Sequence, residues 1–172
     1  MIDKLIEVVL QFLDLFRFWV VVDEDDAGIL LRMGAFHREL KGGDWYLKRP
    51  FKIDVERVIK VTPDTHNLSS QGLTTKDGKQ IVVACIVQFR ISNVKKALLE
   101  VQDRDGVIRD CTFSEVCTLV QEHDWDEVRT AAFAEKMTKA ARKKGFPCGV
   151  EIISVKFTDC TTTFNHTQMQ VG

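Results

Sequence analysis

The chain of 172 residues carries 24 Lys and Arg against 25 Asp and Glu, which gives a formal net charge of -1. This balance provides no global attraction to nucleic acid, and no specific nucleic-acid binding is expected. Apolar residues make up 45% and charged residues 28% of the chain, the proportions of a folded protein rather than a disordered or fibrous one, and the length predicts one domain or one domain with an appendage.

The first 22 residues are long enough to cross a bilayer, but polar side chains recur in them every three or four positions. This spacing predicts an N-terminal amphipathic helix over residues 1–17, because the polar groups then share one arc. Charged side chains in hydrocarbon would cost about 2.5–3.5 kcal/mol each, which excludes a simple transmembrane span. The rest of the helix surface is the predicted membrane or assembly contact, formed by Ile2, Leu5, Ile6, Val9, Phe12, Leu13, Phe16 and Trp19.

Two interpretations of this apolar arc are open at this point. The arc could lie in a membrane interface, where on the order of 10 kcal/mol of gross apolar burial would anchor the chain. It could instead pack on the protein's own body or on a sister subunit. Periodicity alone favours packing on protein, because most amphipathic helices do so.

The pattern changes between Phe18 and Val61 to short β-rich runs separated by turn residues, which predicts an antiparallel meander. Further along, Asp77-Gly78 lies between two β-rich runs and predicts a hairpin, because both residues tolerate positive φ. In the second arm of this hairpin, alternate residues are predicted to share one face: Ile81, Val83, Cys85, Val87, Phe89 and Ile91.

Three helices are predicted after this hairpin, over residues 93–101, 107–122 and 125–144. Ser92 is the expected cap of the first helix and Asp124 of the third, which is expected to end at Gly145. A last strand is predicted over residues 150–158, followed by a polar tail at residues 161–172. This order predicts an α+β fold with an antiparallel sheet and helices packed on one side.

No catalytic, metal or cofactor site is predicted, because the sequence contains no nucleophile-elbow, phosphate-loop, dinucleotide or metalloprotease motif. The nearest polar group of residues, Glu122-His123-Asp124, would point its side chains in different directions near a helix end. The acidic turn at residues 23–26 lacks the glycine and the distal Glu of a calcium loop. Reduced thiols are expected for the five cysteines, which are odd in number and mostly lie in apolar runs: Cys85, Cys111, Cys117, Cys148 and Cys160.

Several segments, in this order and spacing, resemble the SPFH domain of stomatin, prohibitin and flotillin, also called band 7. The likeness covers residues 18–160, which is the expected extent of the domain. It rests on a glycine-bounded apolar run, a turn leading to a proline, the TKDG turn ahead of a long strand, and a helix that ends at a glycine. The motif positions are expected to be structural: Gly28, Gly34, Gly43, Pro50, Thr75, Asp77, Gly78 and Gly145.

The resemblance implies a non-enzymatic scaffold that assembles with copies of itself and organises a membrane patch or holds a partner protein. Members of the family usually carry an N-terminal hydrophobic anchor, which favours the membrane interpretation of the apolar arc. Membrane lipids are therefore expected partners, and the expected location is the cytoplasmic face of a membrane. The alternative is a structural component of a larger particle, such as a virion, in which the N-terminal helix packs on protein.

The chain departs from the family pattern at two places. Gly42-Gly43 stands where the family commonly has a Pro-Gly pair, and the acidic turn Asp23-Glu24-Asp25-Asp26 stands where the family often has a neutral turn at the first strand. The chain also ends shortly after the last predicted strand, so it is expected to be a short form without the long C-terminal coiled coil. Self-assembly is then expected to use the domain and the N-terminal helix.

Overall fold

A computed structural model describes residues 6–7, 18–144 and 148–162, with Lys144 lacking a described side chain. Ile6 and Glu7 are helical. The described residues confirm the α+β fold class, with antiparallel sheets and four helices. The chain divides into two compact units: a first unit of Met1–Thr62, Ile91–Gln102 and Pro147–Gly149, and a second unit of Pro63–Arg90, Asp103–Phe146 and Val150–Gly172.

The strands are, in chain order, β1 (Trp19–Val21), β2 (Asp26–Arg32), β3 (Ala35–Leu40), β4 (Trp45–Leu47), β5 (Asp54–Lys60), β6 (Asp64–Thr74), β7 (Gln80–Ile91) and β8 (Val150–Thr162). The helices are α1 (Val94–Leu99), α2 (Arg104–Glu122), α3 (Trp125–Val128) and α4 (Ala131–Lys144). The strands form three sheets, in the orders β1-β4, β3-β2-β5 and β6-β7-β8, rather than the single sheet predicted.

The first unit contains the β1-β4 ribbon and the β3-β2-β5 sheet. The predicted meander is wrong, because a meander pairs consecutive strands and only β2 and β3 are consecutive neighbours here. The turn after β1 sends the chain into a different sheet, and β4 returns to pair with β1. A hydrophobic cluster of this unit consists of Val20, Val22, Leu30 and Leu40, with Tyr46 packed against it.

Gly42 marks a close approach between two loops of the first unit. A Cβ atom at this position would lie 2.5 Å from the backbone oxygen of Asp26, 2.6 Å from that of Asp23 and 2.7 Å from that of Glu24. Real Cβ atoms do not approach oxygens so closely, so any side chain at Gly42 would push the acidic turn away from it. The following Gly43 has a φ of 79°, a conformation that favours glycine.

The second unit is built around β7, which lies between β6 and β8. Its alternation is confirmed, since Ile81, Val83, Cys85, Val87 and Phe89 are buried, while Ile91 is half-buried. The helices add stripes of buried side chains at helical spacing. The stripe of α2 consists of Ile108, Thr112, Val116 and Val120, and that of α4 of Phe133, Met137 and Ala141.

The cap of α1 differs from the predicted one. Asn93, not Ser92, is the N-cap, and its side-chain oxygen accepts a hydrogen bond of 2.9 Å from the backbone N–H of Lys96. The Ser92 hydroxyl instead donates to the backbone oxygen of Gly149, which also accepts from the N–H groups of Ser92 and Asn93. Sequence spacing indicated the helix but could not reveal this distant partner.

The predicted third helix is two helices, α3 and α4. The break falls at Arg129 and Thr130, where the Thr130 hydroxyl donates to the backbone oxygen of Glu127 at 2.6 Å and ends the first turn. Asp124 is the N-cap of α3 but makes no side-chain capping bond. Gly145, the expected end of α4, lies outside the described residues. The last strand, β8, continues to Thr162, beyond the predicted end at Thr158.

Candidate functional site

One face of the β1-β4 ribbon is apolar and exposed. Trp19 pairs with Leu47 and Val21 pairs with Trp45 across the ribbon, so these four side chains share one face. They are 53%, 64%, 59% and 66% exposed, respectively. Alternation turns the intervening Val20 toward the buried cluster. We call the four exposed residues the ribbon face.

The exposed apolar side chains are distributed unevenly between the two units. Within the described residues, every large apolar side chain that is substantially exposed belongs to the first unit. Single exposed apolar residues are ordinary on protein surfaces, whereas contiguous groups mark sites of contact with proteins or membranes. The exposed large apolar side chains of the first unit are those of the ribbon face and of Ile6, Phe18, Met33, Phe36, Phe51, Ile53, Val55, Val58 and Leu99.

The two ends of the ribbon carry opposite charge. At one end, the N–H of Val22 donates to the backbone oxygen of Asp44, next to the acidic turn of residues 23–26. At the other end, the N–H of Lys48 donates to the backbone oxygen of Phe18 at 2.7 Å, and the basic residues 48 and 49 follow β4. The ribbon is therefore acidic at one end, and basic and aromatic at the other.

A second exposed group adjoins the basic end. The backbone N–H of Met33, in the β2-β3 turn, donates to the backbone oxygen of Ile53 at 2.7 Å, which brings the turn beside the loop after β4. Phe51 and Lys52 have φ values of 60° and 57°, a left-handed conformation that is unfavourable for side chains of this size. We call Met33, Arg49, Phe51, Lys52 and Ile53 the tip surface; all five are exposed.

The buried Asp54 carboxylate fixes the backbone around the tip surface through hydrogen bonds. It accepts hydrogen bonds from Arg32 at 2.8 and 3.1 Å and from the backbone N–H of Arg49 at 3.0 Å. The hydrogen bonds from Arg32, aided by the Arg49 N–H, lower the pKa of Asp54 from 3.8 to about 2. One carboxylate thus joins the end of β2, the loop after β4 and the start of β5.

The TKDG turn, by contrast, is part of the framework of the second unit. Gly78 has a φ of 81° in the β6-β7 hairpin, as predicted. The buried Thr75 hydroxyl donates to Asp77, and Asp77 also accepts from the backbone N–H of Trp125 at 3.3 Å. This network, led by the Thr75 hydrogen bond, lowers the pKa of Asp77. Asp77 therefore takes the capping role at the start of α3 that Asp124 does not fill.

The structure describes only part of the predicted contact arc. Trp19 lies in β1 and not in a helix, because its pairing with Leu47 makes it part of the ribbon. Ile6 is helical and half exposed. Six residues of the arc lie outside the described residues: Ile2, Leu5, Val9, Phe12, Leu13 and Phe16.

The motif glycines are spread over the fold rather than gathered in a site. A Cβ at Gly28 would lie 2.6 Å from the backbone oxygen of Arg57 on the paired strand β5. Gly34 has a φ of 82° in the β2-β3 turn. Pro50 opens the loop of the tip surface, where its backbone oxygen accepts from the N–H of Ile53 at 3.3 Å.

Sequence patterns missed most of the two exposed groups. The alternation of Trp45, Tyr46 and Leu47 could have indicated an apolar outer face, but a three-residue strand gives little periodicity to detect. The exposed loop at Phe51 and Lys52 had no recognisable signal, because phenylalanine and lysine rarely adopt the left-handed conformation.

The histidine and cysteine side chains considered in the sequence analysis lie in packed surroundings. The His123 ring nitrogen Nδ1 lies 2.8 Å from the backbone oxygen of Leu119, and the ring packs edge-on against Phe133. Burial raises the pKa of the Cys85 thiol to about 12. Cys111 and Cys117 are half-buried, because both lie beside the buried stripe of α2.

Three carboxylates of the acidic turn lie close together. Ligand oxygens of Asp23, Asp25 and Asp26 lie within 4.8 Å of one another. The Lys60 ammonium lies 3.5 Å from Asp25 and offsets part of this charge.

No helix in the described part of the chain has the length and apolar character needed to cross a membrane.

The chain is similar in sequence to a protein family and to several known proteins. It matches the SPFH domain / Band 7 family over residues 20–168. It is 27% identical over 135 residues to Uncharacterized protein MJ0827 of Methanocaldococcus jannaschii, covering 67% of this chain and 64% of that protein. It is 27% identical over 118 residues to Protein HflK of Vibrio parahaemolyticus and 28% over 117 residues to Protein HflK of Vibrio cholerae, covering 68% and 67% of this chain.

The chain spans less than two thirds of the length of these relatives, and only 29% of each HflK protein. The family match nevertheless begins within β1, continues beyond the end of β8 and covers most of both units. The protein therefore belongs to the SPFH domain / Band 7 family.

Proposed function

We propose that this protein is a non-enzymatic, membrane-associated scaffold whose first unit contacts the bilayer and whose copies assemble with one another. Membership of the SPFH family supports a membrane-associated scaffold as the general class of function. The single observation that carries the finer proposal is the ribbon face, where two tryptophans and two aliphatic side chains lie exposed together.

The composition of the ribbon face fits a membrane interface. Tryptophan is enriched at the boundary between hydrocarbon and headgroups, because its ring is apolar and its N–H can remain hydrated. Fully burying an aromatic side chain of this size removes about 150–250 Å² from water, at about 25 cal/mol per Å². The half-exposed Trp19 and Trp45 can therefore contribute several kcal/mol to membrane binding, beside any contribution of the predicted N-terminal helix.

The test is flotation of the full chain with phosphatidylcholine vesicles, comparing wild type with a Trp19→Ser/Trp45→Ser variant. The matched control is Phe36→Ser/Leu99→Ser, which removes two exposed apolar side chains outside the ribbon face. We expect the ribbon variant to bind about a hundredfold more weakly, because it loses the two large aromatic side chains that the proposed contact buries in the bilayer. The control variant should bind nearly as well as wild type.

The same experiment separates the alternative function. In a structural component of a larger particle, the ribbon face would pack on protein. The wild-type chain would then not float, and the ribbon variant would dissociate the assembly measured by light scattering in detergent. This outcome would overturn the membrane proposal and favour the particle component.

A further inference from the structure

We propose that the tip surface is a binding site for anionic lipid headgroups, which rests on the proposed membrane function and adds lipid selectivity to it. The tip surface combines three exposed apolar side chains, Met33, Phe51 and Ile53, with two exposed cations, Arg49 and Lys52. Membrane-surface sites commonly combine apolar groups that enter the headgroup region with cations that remain among the phosphates.

The cations of the tip surface are available for phosphate. Lys48 and Arg32 are already engaged, because Lys48 lies 2.7 Å from Glu56 and Arg32 pairs with Asp54. Among the described residues, by contrast, Arg49 and Lys52 form no ion pair of their own, although the charge of Arg49 also helps to lower the pKa of Asp54. Two positive charges therefore remain at the surface after the two ion pairs are formed.

The backbone conformation that exposes these groups is energetically unfavourable. Phe51 and Lys52 both adopt left-handed φ values, and each such conformation is unfavourable for a residue with a side chain. The hydrogen bonds of Asp54 to the Arg49 N–H, and of the Met33 N–H to Ile53, hold the loop on both sides. In this loop conformation Phe51 is 54% exposed.

The difference in charge between the two ends of the ribbon favours one orientation of the first unit on an anionic membrane. The tip surface adjoins the basic end, near Phe18, while Asp23, Glu24 and Asp44 lie at the opposite end. An anionic surface attracts the first end and repels the second. An acidic protein partner would be attracted by the same charges, but three exposed apolar side chains beside the cations favour a lipid surface.

The experiment compares flotation of the full chain with vesicles of phosphatidylcholine alone and of equimolar phosphatidylcholine and phosphatidylglycerol at low salt. The test variant is Arg49→Gln/Lys52→Gln, and the matched control is Lys139→Gln/Lys156→Gln, which removes two exposed charges from the second unit. We expect the test variant to lose about tenfold to thirtyfold in binding to anionic vesicles only, because each cation near such a surface contributes about fivefold. The control should change little, and the difference should shrink at high salt.

Several results would overturn the inference. Equal flotation of wild type with both kinds of vesicle would remove the headgroup selectivity while leaving the membrane function standing. An equal loss in the control variant would show that net charge alone matters. A change in oligomer size without a change in flotation would assign Arg49 and Lys52 to a protein contact. Absence of flotation with either vesicle would contradict both proposals, and circular dichroism of each variant checks that it is folded.

Discussion

The two units of the chain use their apolar residues in opposite ways. In the second unit, β7, α2 and α4 turn theirs inward, and within the described residues no large apolar side chain of this unit is substantially exposed. In the first unit, the ribbon buries Val20 on one face and exposes two tryptophans on the other. The large apolar side chains of the second unit are therefore mostly buried, whereas the first unit carries the exposed group on which the proposed bilayer contact rests.

The largest expected effect compares one aromatic residue from each unit. Phe133, 1% exposed, stacks on Phe157 at a centroid distance of 5.9 Å, whereas Trp45 lies on the ribbon face. We expect Phe133→Ala to lower the free energy of unfolding by about 3–5 kcal/mol, because it leaves a cavity. We expect Trp45→Ala to change it by less than about 1 kcal/mol and to weaken vesicle binding instead. Urea unfolding measures the free energy of unfolding, and flotation measures vesicle binding. If the two variants were destabilised to a similar extent, the proposed difference between the two units would be contradicted.

A second comparison concerns the backbone. We expect Gly42→Ala to lower the free energy of unfolding by about 2–3 kcal/mol, because the new Cβ would overlap three backbone oxygens of the acidic turn. The matched control is Gly72→Ala in β6, where nothing lies within 4 Å of an added Cβ. The control should be neutral or slightly stabilising. Equal thermal denaturation midpoints for the two variants would contradict the described close approach in the first unit.

A third prediction uses pH to test the support of the tip surface. The folded-state pKa of Asp54 is about 2, below its ordinary 3.8, so the ionised carboxylate stabilises the fold above pH 4. This contribution is lost as the pH falls from about 4 toward 2. We expect Asp54→Asn to cost about 2 kcal/mol at neutral pH, because a charged hydrogen-bond acceptor is removed. Its thermal midpoint should then depend less on pH than that of wild type in the acid range, and parallel pH profiles would exclude the role assigned to Asp54.

The smallest expected effects should be alike in the two units, because helix caps act locally. Asn93 caps α1 of the first unit, and Asp103 caps α2 of the second through a hydrogen bond of 2.9 Å to the Gly106 N–H. Replacing either residue by Ala should cost about 1 kcal/mol. Asp124→Ala is the control, since Asp124 makes no side-chain cap bond and its loss should have little effect. A larger effect for Asp124 than for Asn93 in chemical denaturation would reverse the capping assignments.

The parts of the fold that sequence could predict are those with strong local signals. The alternation along β7 and the Asp77-Gly78 turn identified the central hairpin of the second unit correctly. Helical spacing located α1 and α2 to within a few residues. The strand pairing of the first unit was predicted wrongly, because short strands carry little information about distant partners such as β1 and β4.

The candidate site was less predictable than the fold. Helical spacing predicts that Trp19 belongs to the apolar arc of a helix, whereas it owes its exposed position to the strand β1. Trp45 and Leu47 became part of the same surface only when the β1-β4 register was known. The tip surface depends on left-handed φ values and on a hydrogen bond between distant loops, neither of which follows from local sequence.

Contact with the bilayer is proposed for the first unit and not for the second. The chain has three tryptophans, two on the ribbon face and Trp125 in α3 of the second unit. Tryptophan fluorescence is measured with vesicles of brominated phosphatidylcholine, using Trp125→Phe to report on Trp19 and Trp45, and Trp19→Phe/Trp45→Phe to report on Trp125. We predict strong bromine quenching in the first variant and little in the second. Quenching of Trp125 as strong as that of the ribbon tryptophans, or no quenching of either, would contradict the account.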